Sequence, residues 1–299
     1  MNARRSALLI ALALVSGAAL AATATREVRD DTGASVRVPL DNCRIVSLAP
    51  GTTAMLYAAG AGHCLVGTIA HSKEPAGAET IPVVGDAETL DFENLLALRP
   101  TVVVVAVDVV QRVRIDRIRA LGIPVYEVHV TRLGQMSTSI RGLGVLTATQ
   151  AVADREAARL DDELAAIARR YQGRAPVRVL YQIWDQPIYT IGGKHVINDA
   201  LTLCGATNIF ADLSTAAPAV TREAAVLRNP DLILVSAPPA SAEEWRAAWA
   251  RFPTLHAVRN QRVLPYTDER MDRMGPSVVD ATAGLCEVID RARAAPAPR

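Results

Sequence analysis

The sequence predicts an α/β protein with two Rossmann-like lobes, each built on a parallel sheet, and one long α-helix between them. Short apolar runs typical of buried strands alternate with helix-like segments in both halves of the chain. Residues 149–172 separate the two halves and contain neither Gly nor Pro. We therefore predict lobes at residues 22–146 and 175–299, joined by an interlobe helix within residues 147–174.

Residues 1–21 have the three parts of a cleavable signal peptide. Arg4 and Arg5 form a basic start, residues 7–15 are apolar, and Ala19-Leu20-Ala21 fits the small-x-small cleavage rule. A membrane anchor is the alternative, but this apolar run is shorter than the roughly 20 residues that a span requires. We expect cleavage after Ala21 and export of the mature chain.

The first lobe begins with a strand-like run at residues 36–39 and continues as alternating strands and helices. The β-branched run at 102–105 is typical of a strand covered on both faces. Asp91 has the position of an N-cap for a short helix that ends at Pro100. The other predicted strands cover 44–48, 65–69 and 125–128, and the longer predicted helices cover 53–60, 109–121 and 133–146.

The interlobe segment is rich in Ala, Leu, Arg and Glu, which are strong helix formers. Its apolar residues share one face at helical spacing, and Gly173 and Pro176 end it. At about 1.5 Å per residue the helix would be roughly 35 Å long, about the diameter of a domain. On spacing alone, a surface helix of one large domain is an equal alternative.

The second lobe repeats the alternation after Pro176. Gly205 ends one of its helices, and the apolar run at 232–235 is typical of a buried strand. The predicted strands cover 177–183, 189–191, 232–235 and 263–266, and the predicted helices cover 196–203, 221–227, 241–252 and 276–293.

A short motif occurs once in each half and favours two similar lobes over one domain. Residues 92–100 (FENLLALRP) precede the run VVVV, and residues 222–230 (REAAVLRNP) precede DLILVS. In both copies a Glu stands seven residues before a Pro that introduces a buried strand.

The four cysteines suggest disulfides, because the chain is expected to reach an oxidising compartment. Four cysteines allow three connectivities. Pairing within each half, Cys43 with Cys64 and Cys204 with Cys286, is the simplest of them.

Composition and motifs narrow the function classes. The formal charge of +1 does not suggest a nucleic acid partner, and no catalytic or phosphate-binding motif such as GxSxG, GxxxxGK[ST] or HExxH is present. The five histidines are scattered, so we predict no metal site. An exported, monomeric protein that holds a ligand between two lobes, rather than an enzyme, is the expected class.

Several segments resemble periplasmic binding proteins of the cobalamin and ferric-siderophore group. They are RIVSLAPGTTAMLYAAGAG, LVGTIAHSKEP, FENLLALRPTVVVV, LGIPVY, YQIWDQPIYTIGGKHVINDALTLCGATNIF and REAAVLRNPDLILVS. The resemblance runs from about Arg44 to Cys286. It implies a class III periplasmic binding protein, with a single helix between the lobes, that delivers cobalamin or a related corrinoid to an ABC importer. Haem or a ferric siderophore is the alternative ligand.

The resemblance also implies a ligand site. At three positions where the family has aromatic residues, this chain has His71, Ala87 and Ala217, and Ile183 stands at a fourth. Trp184 and Tyr189 are the flat side chains nearby that we expect to contact the ligand. Glu269, Arg270 and Arg273 match the polar loop that faces the ligand in the family, and Pro50 completes the expected set.

The family likeness assigns two further roles. Glu93 and Glu223, the two repeated glutamates, match the residues that dock against two permease subunits of the importer. The alternative is that each carboxylate only favours the first turn of its helix through the helix dipole. Cys204 and Cys286 match the disulfide of the family. No cofactor is implied, because the corrinoid is the transported ligand.

Overall fold

A computed structural model describes residues 24–86, 88–107 and 109–294. The expected signal peptide and Ala87 lie outside these residues. No helix in the described part of the chain is both long enough and apolar enough to cross a membrane.

The first lobe is built on a four-stranded parallel sheet with the strand order β4-β3-β5-β6. An antiparallel hairpin precedes it, so the single leading strand expected near residue 36 is one of a pair. Helix α2 begins after Asp91, whose side chain accepts a hydrogen bond from the backbone N–H of Asn94 at 2.9 Å. The strands are β1 (Thr25–Arg29), β2 (Ser35–Pro39), β3 (Ile45–Ser47), β4 (Leu65–Gly67), β5 (Val102–Ala106) and β6 (Val125–Val128), and the helices are α1 (Pro50–Ala58), α2 (Phe92–Ala97), α3 (Arg112–Ala120) and α4 (Leu133–Thr147).

The second lobe is built on a six-stranded sheet in which β7 pairs with β11 along one edge. Along its other edge, the first half of β7 pairs with β9 and the second half pairs with β8. Strands β7, β9, β11 and β12 run parallel, as predicted, whereas β8 runs antiparallel to both β7 and β10. Residues 185–187 are the whole connection from β7 to β8, and a link this short reverses the chain. The elements are α5 (Gln150–Tyr171), β7 (Val177–Trp184), β8 (Ile188–Thr190), α6 (Val196–Leu203), β9 (Ala206–Asn208), β10 (Ala219–Val220), α7 (Arg222–Arg228), β11 (Leu232–Ser236), α8 (Pro239–Trp249), α9 (His256–Arg259), β12 (Val263–Tyr266) and α10 (Ser277–Ala294).

Helix α5 joins the two sheets, as predicted, and its buried face belongs to a core that is continuous across both lobes. Leu160 and Ile167 lie in the same apolar cluster as Leu143 of α4 and Ile289 of α10. On the exposed side, Arg159 of α5 pairs with Asp280 of α10 at 3.0 Å. The helix is therefore fixed to neighbouring helices rather than free between the lobes.

The sequence repeat is also a structural repeat. Glu93 and Glu223 are each the second residue of a short helix, α2 in the first lobe and α7 in the second. Each helix is followed by a residue with positive φ, Arg99 (47°) and Asn229 (43°), directly before the repeated Pro. The two copies thus turn the chain into a buried strand in the same way.

Two disulfides are present, and they pair the cysteines within each half. Cys43 bonds Cys64 beside the sheet of the first lobe, with the Cα atoms 5.1 Å apart. Cys204, at the end of α6, bonds Cys286 of α10, with the Cα atoms 4.7 Å apart. No free cysteine occurs among the described residues.

Candidate ligand-binding cleft

A cavity of about 450 Å³ lies between the lobes, and an adjoining cavity of about 790 Å³ is lined by the second lobe alone. Residues that directly follow β3, β5 and β6 line the smaller cavity, and residues that follow β11 and β12 line the larger one. Ligand sites in α/β folds form at this end of the strands, where the connecting loops converge. Four residues line both cavities, which makes them one interlobe cleft: Glu269, Asp272, Arg273 and Met274.

The wall from the first lobe is made mainly of small apolar residues. Pro50 is the first residue of α1, where its fixed φ suits a helix start. Behind it the hydroxyl groups of Ser47 and Thr52 lie 2.7 Å apart, which anchors α1 to the end of β3. His71, with a positive φ of 68°, and Lys73 add polar groups to this wall. The remaining lining residues are Ala49, Gly51, Met55, Ala106, Val107, Val109, Val128 and Val130.

The wall from the second lobe carries aromatic side chains. Trp184 ends β7, is 56% exposed, and meets Trp245 of α8 edge to face with ring centroids 5.8 Å apart. The loop after Trp184 is fixed because Arg222 of α7 pairs with Asp185 at 2.8 Å. An indole held in this way, and still open to the cleft, provides a flat surface for a ring system.

The polar loop expected from the sequence lies at the junction of the two cavities. Residues Glu269–Arg273 form a short 3-10 helix. Arg273 donates a hydrogen bond to Glu269 at 2.8 Å, and a second one to Glu74 of the first lobe. Arg270 instead pairs with Asp268, with Nε and Oδ1 2.8 Å apart. Arg273 is therefore the member of this loop that bridges the lobes.

A chain of hydroxyl groups leads from the second sheet to Asp272. Tyr181 donates to Ser236 at 3.2 Å, and Ser236 donates to Asp272 at 3.4 Å. Burial raises the pKa of Asp272, while the bond from Ser236 partly opposes that rise. Burial also raises the pKa of Tyr266, which lines the larger cavity. Ser236, Tyr266 and Asp272 thus place hydroxyl and carboxyl groups along the larger cavity.

The two lobes also touch directly at the base of the cleft. A Cβ atom added at Gly51 of α1 would lie 2.4 Å from the carbonyl oxygen of Met274. On another side, Asp199 of α6 accepts a hydrogen bond from the backbone N–H of Leu133, at the start of α4, at 2.8 Å. Together with α5, these contacts set the spacing of the two walls.

The structure brings together five of the nine expected ligand residues: Pro50, His71, Trp184, Glu269 and Arg273. Tyr189, Ala217 and Arg270 are exposed, but they do not line these two cavities. Ala87 lies outside the described residues. The expectation that Trp184 and Tyr189 contact the ligand stays a prediction.

Sequence reasoning did not find several lining residues. Lys73 and Asp272 lie in segments that the family likeness had already singled out. Their closeness in sequence to His71 and Arg273 was the signal that could have identified them as lining residues. Trp245 lies inside a predicted helix, where no local pattern separates it from Trp249, which is fully buried. Within the described ranges, no group of three or more His, Cys, Asp or Glu side chains is arranged to hold a metal ion.

Glu93 and Glu223 lie away from the cleft, one on each lobe. Both side chains are exposed. Among the described residues, neither carboxylate forms an ion pair. The repeat thus presents one such carboxylate on the surface of each lobe.

Two α/β lobes around a cleft, joined by one helix and in direct contact at its base, define a two-lobed solute-binding protein. A family model described as periplasmic binding protein matches residues 45–269. The chain belongs to this periplasmic binding protein family, and its architecture is that of class III.

Individual relatives agree with this assignment. A vitamin B12-binding protein of Vibrio cholerae is 30% identical over 244 residues, which are 81% of this chain and 87% of the relative. The crystal structure of a periplasmic vitamin B12 binding protein of Vibrio cholerae matches with a TM-score of 0.78 and 28% identity, covering 86% of this chain and 100% of that one. A periplasmic heme-binding protein from Roseiflexus sp. RS-1 matches in fold, with a TM-score of 0.71, 23% identity and coverage of 84% and 99%.

Proposed function

We propose that this protein binds cobalamin or a related corrinoid in the interlobe cleft and delivers it to an ABC importer from the periplasm. In this proposal residues 1–21 are a cleaved signal peptide, residues 22–146 and 175–299 are the lobes, and residues 147–174 hold the interlobe helix. The protein acts as a monomer, performs no catalytic step and carries the corrinoid as cargo rather than as a cofactor.

The observation that carries the proposal is the size and charge balance of the cleft. The combined volume of its two cavities exceeds the largest volume usual for small-molecule sites, about 1,000 Å³. Among the described lining residues, the cations Lys73 and Arg273 are matched by the anions Glu269 and Asp272. The rim of a corrin ring carries neutral amide groups, which donate and accept hydrogen bonds. A large, neutral cleft with both kinds of polar group suits that rim.

The proposed contacts divide between the walls. Trp184, supported by Trp245, covers one face of the ring system, and the small apolar residues of the first lobe pack on the other. Glu269, Asp272 and Arg273 meet the polar rim. The names of the Vibrio cholerae relatives support the same ligand. Roles for Ala87, Tyr189, Ala217 and Arg270 remain predictions.

Haem or a ferric siderophore is the second candidate. The replacement of family aromatic residues by His71, Ala87 and Ala217 favours it, because the corrin-stacking surface of the family is reduced here. The fold likeness to a heme-binding protein shows that this architecture accommodates such a ligand elsewhere.

Direct binding separates these candidates. Purified protein should quench its tryptophan fluorescence and release heat when cyanocobalamin is added, with weaker signals for haemin and ferric siderophores. The absence of any corrinoid binding at micromolar concentration would reject the proposed ligand. Turnover of a candidate substrate would reject the assignment as a binding protein.

We propose that Glu93 and Glu223 dock the loaded protein on the two permease subunits of the importer. Exchanging both for Lys should abolish uptake, because both contacts would then become repulsive towards basic partner residues. Cyanocobalamin affinity should stay unchanged, since both residues lie outside the cleft. Normal uptake by this double variant would reject the docking role.

A further inference from the structure

We propose that Glu74 determines which ligand charge the cleft accepts, by pairing with Arg273 across the two lobes. This inference rests on the proposed function in so far as the ligand is a tetrapyrrole. It separates the two candidate classes, because haem carries two carboxylates whereas the corrin rim carries neutral amides.

The geometry places Glu74 behind Arg273 rather than in the cleft. Arg273 lines both cavities, whereas Glu74 lines neither of them. Glu74 accepts a hydrogen bond from Nη1 of Arg273, and its other oxygen lies 3.3 Å from the hydroxyl group of Ser277. The Glu74 and Arg273 side chains are only 33% and 34% exposed. Glu74 is therefore held against the guanidinium from outside the binding site.

Arg273 has a second carboxylate partner within its own loop. Its Nη2 lies 2.8 Å from Oε2 of Glu269. A guanidinium has five N–H donors, so N–H groups remain for neutral acceptors such as amide carbonyls after both pairs form. Its positive charge, however, is already balanced by two carboxylates. An incoming carboxylate would meet this local excess of negative charge.

Lys73 does not give the lining of the cleft a net positive charge. Asp272 also lines both cavities, and the described lining residues therefore carry two cations and two anions. A buried or half-buried anion without its own cation is costly. Rejection of an unwanted ligand by unpaired charge is a common source of specificity. Glu74 adds this rejection without touching the ligand, so it is a positioning residue that acts through Arg273.

The test compares haemin with haemin dimethyl ester, which has the same ring but no carboxylates, in binding titrations of four proteins. These are the unchanged protein, Glu74→Gln, Arg273→Gln and the double variant. We expect Glu74→Gln to raise the affinity for haemin relative to its ester about fivefold, as for a half-exposed ion pair. The gain should disappear in the Arg273→Gln background, because there is no cation left to uncover.

Asp162→Asn is the matched control, since it removes one negative charge from the exposed face of α5, away from both cavities. It should leave the haemin-to-ester ratio unchanged. An unchanged ratio in Glu74→Gln, no measurable haemin binding to that variant, or a gain that persists without Arg273 would each overturn the inference. Cyanocobalamin binding by the unchanged protein is read separately and tests the proposed function alone.

Discussion

The two walls of the cleft are made of different chemistry. The wall of the first lobe consists mainly of Val and Ala side chains that follow β5 and β6, whereas the wall of the second lobe presents Trp184, Trp245 and Tyr266. The polar loop Glu269–Arg273 belongs to the second lobe as well. The two lobes share the repeated motif but differ at the site: the first lines it mainly with small apolar side chains, and the second with aromatic and polar ones.

This difference predicts that the second lobe contributes most of the binding energy. Trp184→Ala should weaken cyanocobalamin binding by about 2 kcal/mol, roughly 30-fold, because an exposed indole that becomes covered by ligand is typical of an energetic centre. Calorimetry is the appropriate measurement, since the variant loses a fluorescent reporter. Tyr189→Ala is the comparison, as Tyr189 is exposed nearby but lines neither cavity. Equal losses in both variants would show that the ligand surface extends over β8.

The next prediction concerns the direct contact between the lobes at Gly51 and Met274. Gly51→Val should destabilise the protein by about 1–3 kcal/mol, because its new side chain must displace the backbone at Met274. Ligand affinity should fall as well, since Gly51 and Met274 line the same cavity. Thermal unfolding and calorimetry measure the two effects. Gly134→Ala, where no neighbour lies within 4 Å of the added atom, is the control and should not lower stability. Equal stability of both variants would contradict close contact between the lobes.

Near the first wall, two partly exposed arginines hold a buried carboxylate, that of Glu127 at the end of β6. The Glu127 side chain is only 3% exposed, and Arg112 and Arg119 each lie 2.7 Å from its Oε1. Burial alone would raise the pKa of Glu127, but hydrogen bonds from both arginines outweigh burial and lower it. The folded pKa is thus below the ordinary glutamate value of 4.5, so this stabilisation is present above pH 4.5 and is lost as the pH falls through the folded pKa.

We expect Glu127→Gln to lower the free energy of unfolding by about 1–2 kcal/mol at neutral pH. The difference from the unchanged protein should shrink in acid, where both side chains are neutral. Chemical denaturation at several pH values measures it. Glu27→Gln breaks the exposed pair with Arg37 and should change stability little. A pH-independent difference for Glu127→Gln would contradict the role of its charge.

The smallest expected effect is lobe movement on binding. Because the core continues through α5 and the lobes touch at Gly51, we expect ligand-free and cobalamin-bound scattering profiles to be nearly the same. Unchanged profiles would mean that the two walls are largely pre-formed. A clear decrease in the radius of gyration on binding would show that one wall closes on the other.

Elements with a strong local pattern were predictable from the sequence. The interlobe helix expected at 149–172 is found at Gln150–Tyr171, and the strand expected at 263–266 and the helix expected at 196–203 have the observed bounds. Strands β9 and β10 were missed because neither has an apolar run: β9 is Ala-Thr-Asn, and β10 has only two residues. Such short strands are defined by their partners in the sheet and not by their own pattern.

The site was only partly predictable for the same reason. Motif likeness located Trp184, Glu269 and Arg273, but it did not show that Trp245 stands beside Trp184 or that Glu74 reaches Arg273. Glu74 and Arg273 are 199 residues apart in sequence. Their contact depends on how two lobes pack, and no local spacing encodes it.

The sequence by itself determined the α/β alternation, the long central helix and the repeated Glu–Pro motif, because each depends on residues that are neighbours along one chain segment. Only the tertiary structure decided the antiparallel edge of the second sheet, the unequal walls of the cleft and the pairing across the lobes. These features arise where distant loops converge, so their physical cause is the packing of the lobes and not the propensity of any segment.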